Sequence, residues 1–179
     1  MAIVRDLSGN NPFNAADRDL SPNKIGHRTL SITLPATPAA YSARDVIGGV
    51  LSFTNMHYLG GGNLDLISAR LSLGISALPS GMSTFELHMY SASPPSAIAD
   101  NGAFDLTTAD LPYYLGKLVF PAPVDEGSAL SVSLDSINKQ VFLTTDTVFG
   151  YLMTVGGYTP AAGSEVYRTA LRGIIPNEV

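Results

Sequence analysis

Three histidines, His27, His57 and His88, are the side chains best suited to move a proton near neutral pH. Hydrolysis by a nucleophilic serine would need one of them beside a serine held on a sharp strand-to-helix turn. No Gly-x-Ser-x-Gly text is present, and the nearest stretch, Gly74-Ile75-Ser76-Ala77-Leu78, lacks the second glycine. His88 alternates in phase with Glu86 and Tyr90, so it reads as a surface histidine on the polar side of a strand. His27, at the junction between the N-terminal segment and the first strand, and His57, near a triple glycine, read the same way.

Metal and cofactor chemistry find little to use. Cysteine is absent, which removes disulfides, thiolate zinc sites and cysteine nucleophiles together. There is no His-Glu-x-x-His and no EF-hand spacing. The acids of Asp100-Asn101-Gly102-Ala103-Phe104-Asp105, with Asp110 beyond, could offer oxygen ligands to calcium, but Asx residues beside glycine more often form turns. Gly60-Gly61-Gly62 is followed by no Gly-Lys-Ser/Thr and reads as a loop between strands rather than a phosphate cradle. No catalytic residue, no metal site and no cofactor is expected.

The elements around these residues follow a period of two from Arg28 onward. Leu30, Ile32 and Leu34 alternate with threonine and serine. Ile47, Gly49, Leu51 and Phe53 share one face of a second segment. Ile67, Ala69, Leu71, Leu73 and Ile75 mark a third, and Phe85, Leu87 and Met89 a fourth. Further strands are expected over 113–120, 130–134, 140–144, 147–155 and 166–174, about nine in all. Helical turns are expected only over 96–99 and 107–111. Gly, Pro and Asn clusters such as Pro79-Ser80-Gly81, Pro94-Pro95 and Asn101-Gly102 separate the strands. The expectation is an all-β antiparallel sandwich or barrel over 28–179.

One strand is apolar on both faces: Val148, Phe149, Tyr151, Leu152, Met153 and Val155. It is either central and covered on both sides, or its outer face meets another subunit. The second alternative predicts a dimer or trimer with Phe149, Tyr151 or Met153 at the contact.

Residues 1–27 differ from the rest, with turn formers and charges around isolated apolar side chains, Ile3, Val4, Leu7, Phe13 and Leu20. They read either as a disordered terminus or as an extended N-terminal arm that orders on a neighbouring subunit, with Phe13 and Leu20 as anchors.

Charged residues make up 14% of the 179 residues, and the net charge is −5. Ten lysines and arginines, without a run in the sequence, argue against nucleic acid as partner. No window approaches the ~20 apolar residues of a membrane-spanning helix, and Met1 to Asn10 hold no signal-peptide stretch, so synthesis in the cytoplasm and no membrane partner are expected. Tryptophan, the commonest sugar-stacking surface, is missing, although tyrosines are plentiful.

The stretch Tyr41-Ser42-Ala43-Arg44-Asp45-Val46-Ile47-Gly48-Gly49, leading to Asn55, resembles the opening of jelly-roll proteins that decorate or cement the capsids of tailed bacteriophages. In that family a Tyr-x-x-Gly-Asp-x-Ile-Gly-Gly stretch enters a strand; Arg44 stands at the first glycine. A glycine-rich loop, a long alternating strand and an aspartate-asparagine segment follow there; their counterparts here are 60–63, 65–76 and 100–110. The likeness spans roughly 28–173. It implies an all-β, antiparallel β-sandwich that is jelly-roll-like, and a non-enzymatic virion protein on the outer surface of the capsid, binding the major capsid protein and copies of itself. The alternatives are a tail, head-fibre or baseplate component, and behind those a carbohydrate-binding module.

Overall fold

The computed structural model describes residues 24–35, 38–57 and 60–176. Phe13 and Leu20, like all of 1–23, lie outside the described residues. The strand β1 (Lys24–Thr33) begins four residues before the expected boundary, so 24–27 of the segment read as arm belong to the sheet.

After β1 come β2 (Val46–Phe53), β3 (Gly62–Leu73), β4 (Phe85–Tyr90), β5 (Tyr114–Phe120), a two-residue β6 (Val124–Asp125), β7 (Leu130–Leu143), β8 (Val148–Thr154) and β9 (Val166–Ile175). One sheet has the order β1-β9-β3-β7-β6 and the other β2-β8-β4-β5. Every pairing is antiparallel. The ladders β1·β9, β2·β8, β3·β7 and β4·β5 are the rungs of one long hairpin, and rolling it up adds β9·β3 and β8·β4. That winding is the jelly roll, one of the sandwich forms the strand pattern allows and the one the resemblance implies.

Alternation makes the main core. Leu64, Leu66, Ala69, Leu71, Leu73, Tyr167 and Leu171 from the first sheet face Phe53, Phe85, Leu87, Met89, Phe120 and Leu152 from the second. In β3 the inward positions change from even to odd numbers, because a bulge between Leu66 and Ser68 shifts the register against both neighbours. This is why the strand extends back to Gly62, five residues before the alternation expected from Ile67. The same irregularity joins the two segments expected at 130–134 and 140–144. Opposite it, Ser136 and Asn138 take positive φ, and β7 runs unbroken from Leu130 to Leu143.

The second sheet also has an outer core. Val46, Tyr90, Tyr151 and Met153 project from it and pack with Phe104, Ile98 and Leu106 of the connection between β4 and β5, residues 91–113. The strand that is apolar on both faces, β8, is thus central and walled on both sides by its own chain. Tyr151 and Met153 are buried and Phe149 is half-buried. The intramolecular wall removes the reason for placing Tyr151 and Met153 at a subunit contact.

Truncating a buried methionine costs about 2–5 kcal/mol when its site cannot collapse. Met153→Ala is therefore expected to destabilise the dilute protein by at least about 2 kcal/mol in urea unfolding. An unfolding midpoint unchanged at low concentration would mean that the outer face of β8 is open in the single chain.

Candidate functional site

The residues that could do chemistry fall mostly under or beside the 91–113 cover. His88 lies on β4 facing outward, as its alternation requires, yet it is buried, because Phe104 covers it with ring centroids 4.0 Å apart. This corrects the expectation of a surface histidine. Its Nδ1 meets the Tyr114 hydroxyl at 3.0 Å and its Nε2 meets Glu86 Oε2 at 3.1 Å. Glu86 Oε1 accepts a bond of 2.6 Å from Lys117 Nζ.

Burial lowers the His88 pKa, outweighing the pull of Glu86 in the other direction. For Glu86, burial acts to raise the pKa, but the bonds from Lys117 and His88 outweigh it and the pKa is lowered. Both ring nitrogens of His88 are thus engaged and its face is covered, which leaves no position from which it could take a substrate proton.

The acidic stretch considered for calcium is used for closing turns. Asp100 Oδ1 accepts from the Tyr41 hydroxyl at 2.9 Å and from the Gly48 amide at 2.7 Å. Asp110, fully buried, accepts from the Ser96 amide, the Thr107 amide and the Thr107 hydroxyl. Asp45 accepts from the Ser42 amide. Asp105 is exposed. Among the described residues no group of three His, Asp or Glu could hold a metal ion. Buried Glu165 bonds the Ala162 amide and the Tyr167 hydroxyl, again tying a loop to a strand. The helical turns expected at 96–99 and 107–111 are a hydrogen-bonded turn from Pro94 to Ala97 and one from Thr107 to Asp110, which leads into a single 3₁₀ turn at Leu111–Tyr113.

The best-defined constellation joins two distant stretches of sequence. The segment Tyr41–Gly49 and the segment 100–104 exchange bonds at Asn101 N to Val46 O, Val46 N to Gly102 O and Phe104 N to Arg44 O, each 2.8 Å. With the Asp100 carboxylate they form one knot beside the mouth of β2. Gly48 and Gly49 both take left-handed φ at the bulge between Ile47 and Val50, and a Cβ on Gly48 would lie 2.4 Å from Ile32 Cγ2. Arg44 also takes positive φ, at 71°, the conformation that glycine adopts without strain. Its guanidinium lies 6.0 Å from the centre of the Phe104 ring. Composition and spacing alone could not link these segments, since the knot closes through backbone bonds.

No family model matches the chain, and no curated protein is similar to it. Among solved structures it is similar to the capsid of Ralstonia phage GP4, at 17% identity and TM-score 0.42, covering 87% of this chain and 86% of that one. It is also similar to the Kashmir bee virus native virion at neutral pH, at 13% identity and TM-score 0.34, covering 86% and 74%. The decameric BFDV capsid protein gives 10% identity and TM-score 0.36, covering 85% and 95%. At these scores function does not transfer from them.

Two outcomes follow from this site. A histidine whose pKa is lower folded than unfolded binds fewer protons when folded, so stability falls as pH drops below about 6.5 toward the folded value. The lowered Glu86 carboxyl acts in the same direction below about pH 4.5. The melting temperature should therefore fall between pH 7.5 and 5, and His88→Gln should flatten that slope; equal slopes would contradict the assignment.

At Arg44, glycine relieves the left-handed strain but loosens the unfolded chain and loses the ring contact, so Arg44→Gly should stay within about 1 kcal/mol of the parent. Arg44→Val, β-branched at positive φ, should cost about 1–2 kcal/mol in the same urea titration. If valine were tolerated as well as glycine, the turn would not be the constraint.

Proposed function

We propose that this chain is a non-enzymatic structural protein of a virus particle, a decoration or cement protein on the outer surface of a tailed-phage capsid. It binds the major capsid protein and copies of itself. The observation that carries this reading is the knot: the two stretches that resemble the phage family, 39–55 and 100–110, are bonded to each other as one unit. Even at Arg44, where the sequence departs from the family glycine, the backbone keeps a glycine-like conformation.

The chemistry of the interior supports the same reading. The histidine–carboxylate pair is covered, the acids hold turns, and Tyr41, Tyr90, Tyr151, Tyr158 and Tyr167 are buried rather than offered as sugar platforms. A molecule of this kind presents shape and surface. Residues 1–23, with Phe13 and Leu20, would reach a neighbouring subunit or the shell, with Phe149 among the further contacts.

Particles lacking this chain, mixed with the purified protein and imaged by electron cryomicroscopy, should gain density on the outer face of the shell and withstand more heat. Density on the tail, or no binding, would overturn the assignment. Deleting residues 2–23 leaves every described strand intact. That variant should melt within a few degrees of the parent yet bind particles at least about tenfold more weakly, or about 1.4 kcal/mol. Undiminished binding would make the arm a passive tail.

A further inference from the structure

Three arginines that look scattered in the sequence, Arg70, Arg168 and Arg172, meet on one surface. On the outer face of the first sheet, Arg172 lies beside His27 on one strand and Ser68 on the other, and Arg70 lies opposite Ala170. Arg168 lies beside Ser31 and Ser72. With strands about 4.8 Å apart and a rise of about 3.3 Å per residue, Arg70 stands roughly 8 Å from each of the other two. All three arginines are exposed.

Their neighbours are small. Between Arg70 and Arg172 the short side chains of Ala170, Ser68 and Ser133 leave an open depression of about 260 Å³, with His27 and Asp135 on its rim. None of the three arginines forms an ion pair among the described residues; the two ion pairs present both involve Glu86. Among the described residues Arg70 donates to Ser131 Oγ, at 3.1 Å. On the opposite broad side, Asp105 of the 91–113 cover is exposed and Asp100 partly so, with exposed Arg44 against Phe104 and Lys117 on β5 nearby.

We propose that the outer face of the first sheet is the docking surface of this protein and that its occupant is a carboxylate-rich protein surface. Resting on the reading of the chain as a shell-binding protein, this names the face that meets the shell and the chemistry it meets. A flat sheet with short Ser, Thr and Ala side chains allows close approach, and unpaired guanidiniums recognise carboxylates by two parallel bonds. One partner carboxylate fits over Ala170 between Arg70 and Arg172. Phosphate polymers fit less well, because three arginines are far fewer cations than nucleic-acid binding gathers.

The test uses the full-length protein and immobilised poly-L-glutamate, with duplex DNA as a second probe. The protein should bind poly-L-glutamate, more weakly as salt rises from about 50 to 200 mM. Arg70→Gln/Arg168→Gln/Arg172→Gln should bind at least about tenfold more weakly while keeping its circular dichroism and melting temperature. Lys117→Gln/Lys139→Gln, which removes two cations beside β5, should bind within about twofold of the parent.

Poly-L-glutamate binding that is absent, or unchanged in the triple arginine variant, overturns the proposal. So does tighter binding to DNA, or concentration-dependent self-association that the arginine changes abolish, which would make a second copy the occupant. Because no particle is involved, failure here is distinct from failure of the virion assignment. Particles that reject the protein while poly-L-glutamate still binds this face would refute only the latter.

Discussion

A strand that is apolar on both faces must be walled on both, and β8 imposes that requirement on the whole molecule. Its inward side chains, Val148 and Leu152, meet the first sheet, while Tyr151 and Met153 project the other way. Burying one large aromatic or aliphatic side chain stabilises by about 1.5–3 kcal/mol, so leaving that outer row in water would forgo several times as much. The connection between β4 and β5, residues 91–113, supplies the second wall. The jelly roll thereby becomes three layers on one side, two sheets and a cover, rather than a simple sandwich.

The cover has almost no ladder of its own, so its backbone needs partners from elsewhere. Its own Asp110 and the Tyr151 hydroxyl of β8 provide them, while its Asp100 ties it back to the segment before β2. Asp110 holds Ser96 and Thr107, the Tyr151 hydroxyl accepts from the Ile98 amide at 2.9 Å, and Asp100 reaches Tyr41 and Gly48. Beneath the cover, His88 is stacked on Phe104 and bonded to Glu86 and Tyr114, a polar network that is satisfied and closed. Groups that look catalytic in a sequence here fix the position of a loop.

Much of the sandwich was legible because alternation is local. Leu30 to Leu34, Phe85 to Met89 and 166–174 carry their facing directly in the residue types. The alternation fails where register is decided by other strands. The bulge at Ile67 reverses the phase of β3, and Ser136 and Asn138 bend β7 without ending it; neither event has a local marker.

The site was harder to read for the same reason. His88 has the spacing of a surface residue, and only the return of Phe104 from 16 residues downstream buries it. Arg70 and Arg172 are 102 positions apart and become neighbours only through the β3·β9 ladder. The double-faced β8 was visible in the sequence, but whether its own chain or another covers it was not.

The central claim is that the 91–113 connection is a fixed wall of the single chain. Native-state hydrogen exchange at the amides of Ser96, Ile98, Phe104 and Thr107 tests it most directly, since each donates to a named acceptor within the molecule. These amides should exchange as slowly as the ladder amides of β4 and β8 in dilute monomer, and Asp110→Ala should release Ser96 and Thr107 first. Free exchange at all four, with β4 and β8 still protected, would show that the cover is an open loop and that another molecule must wall β8.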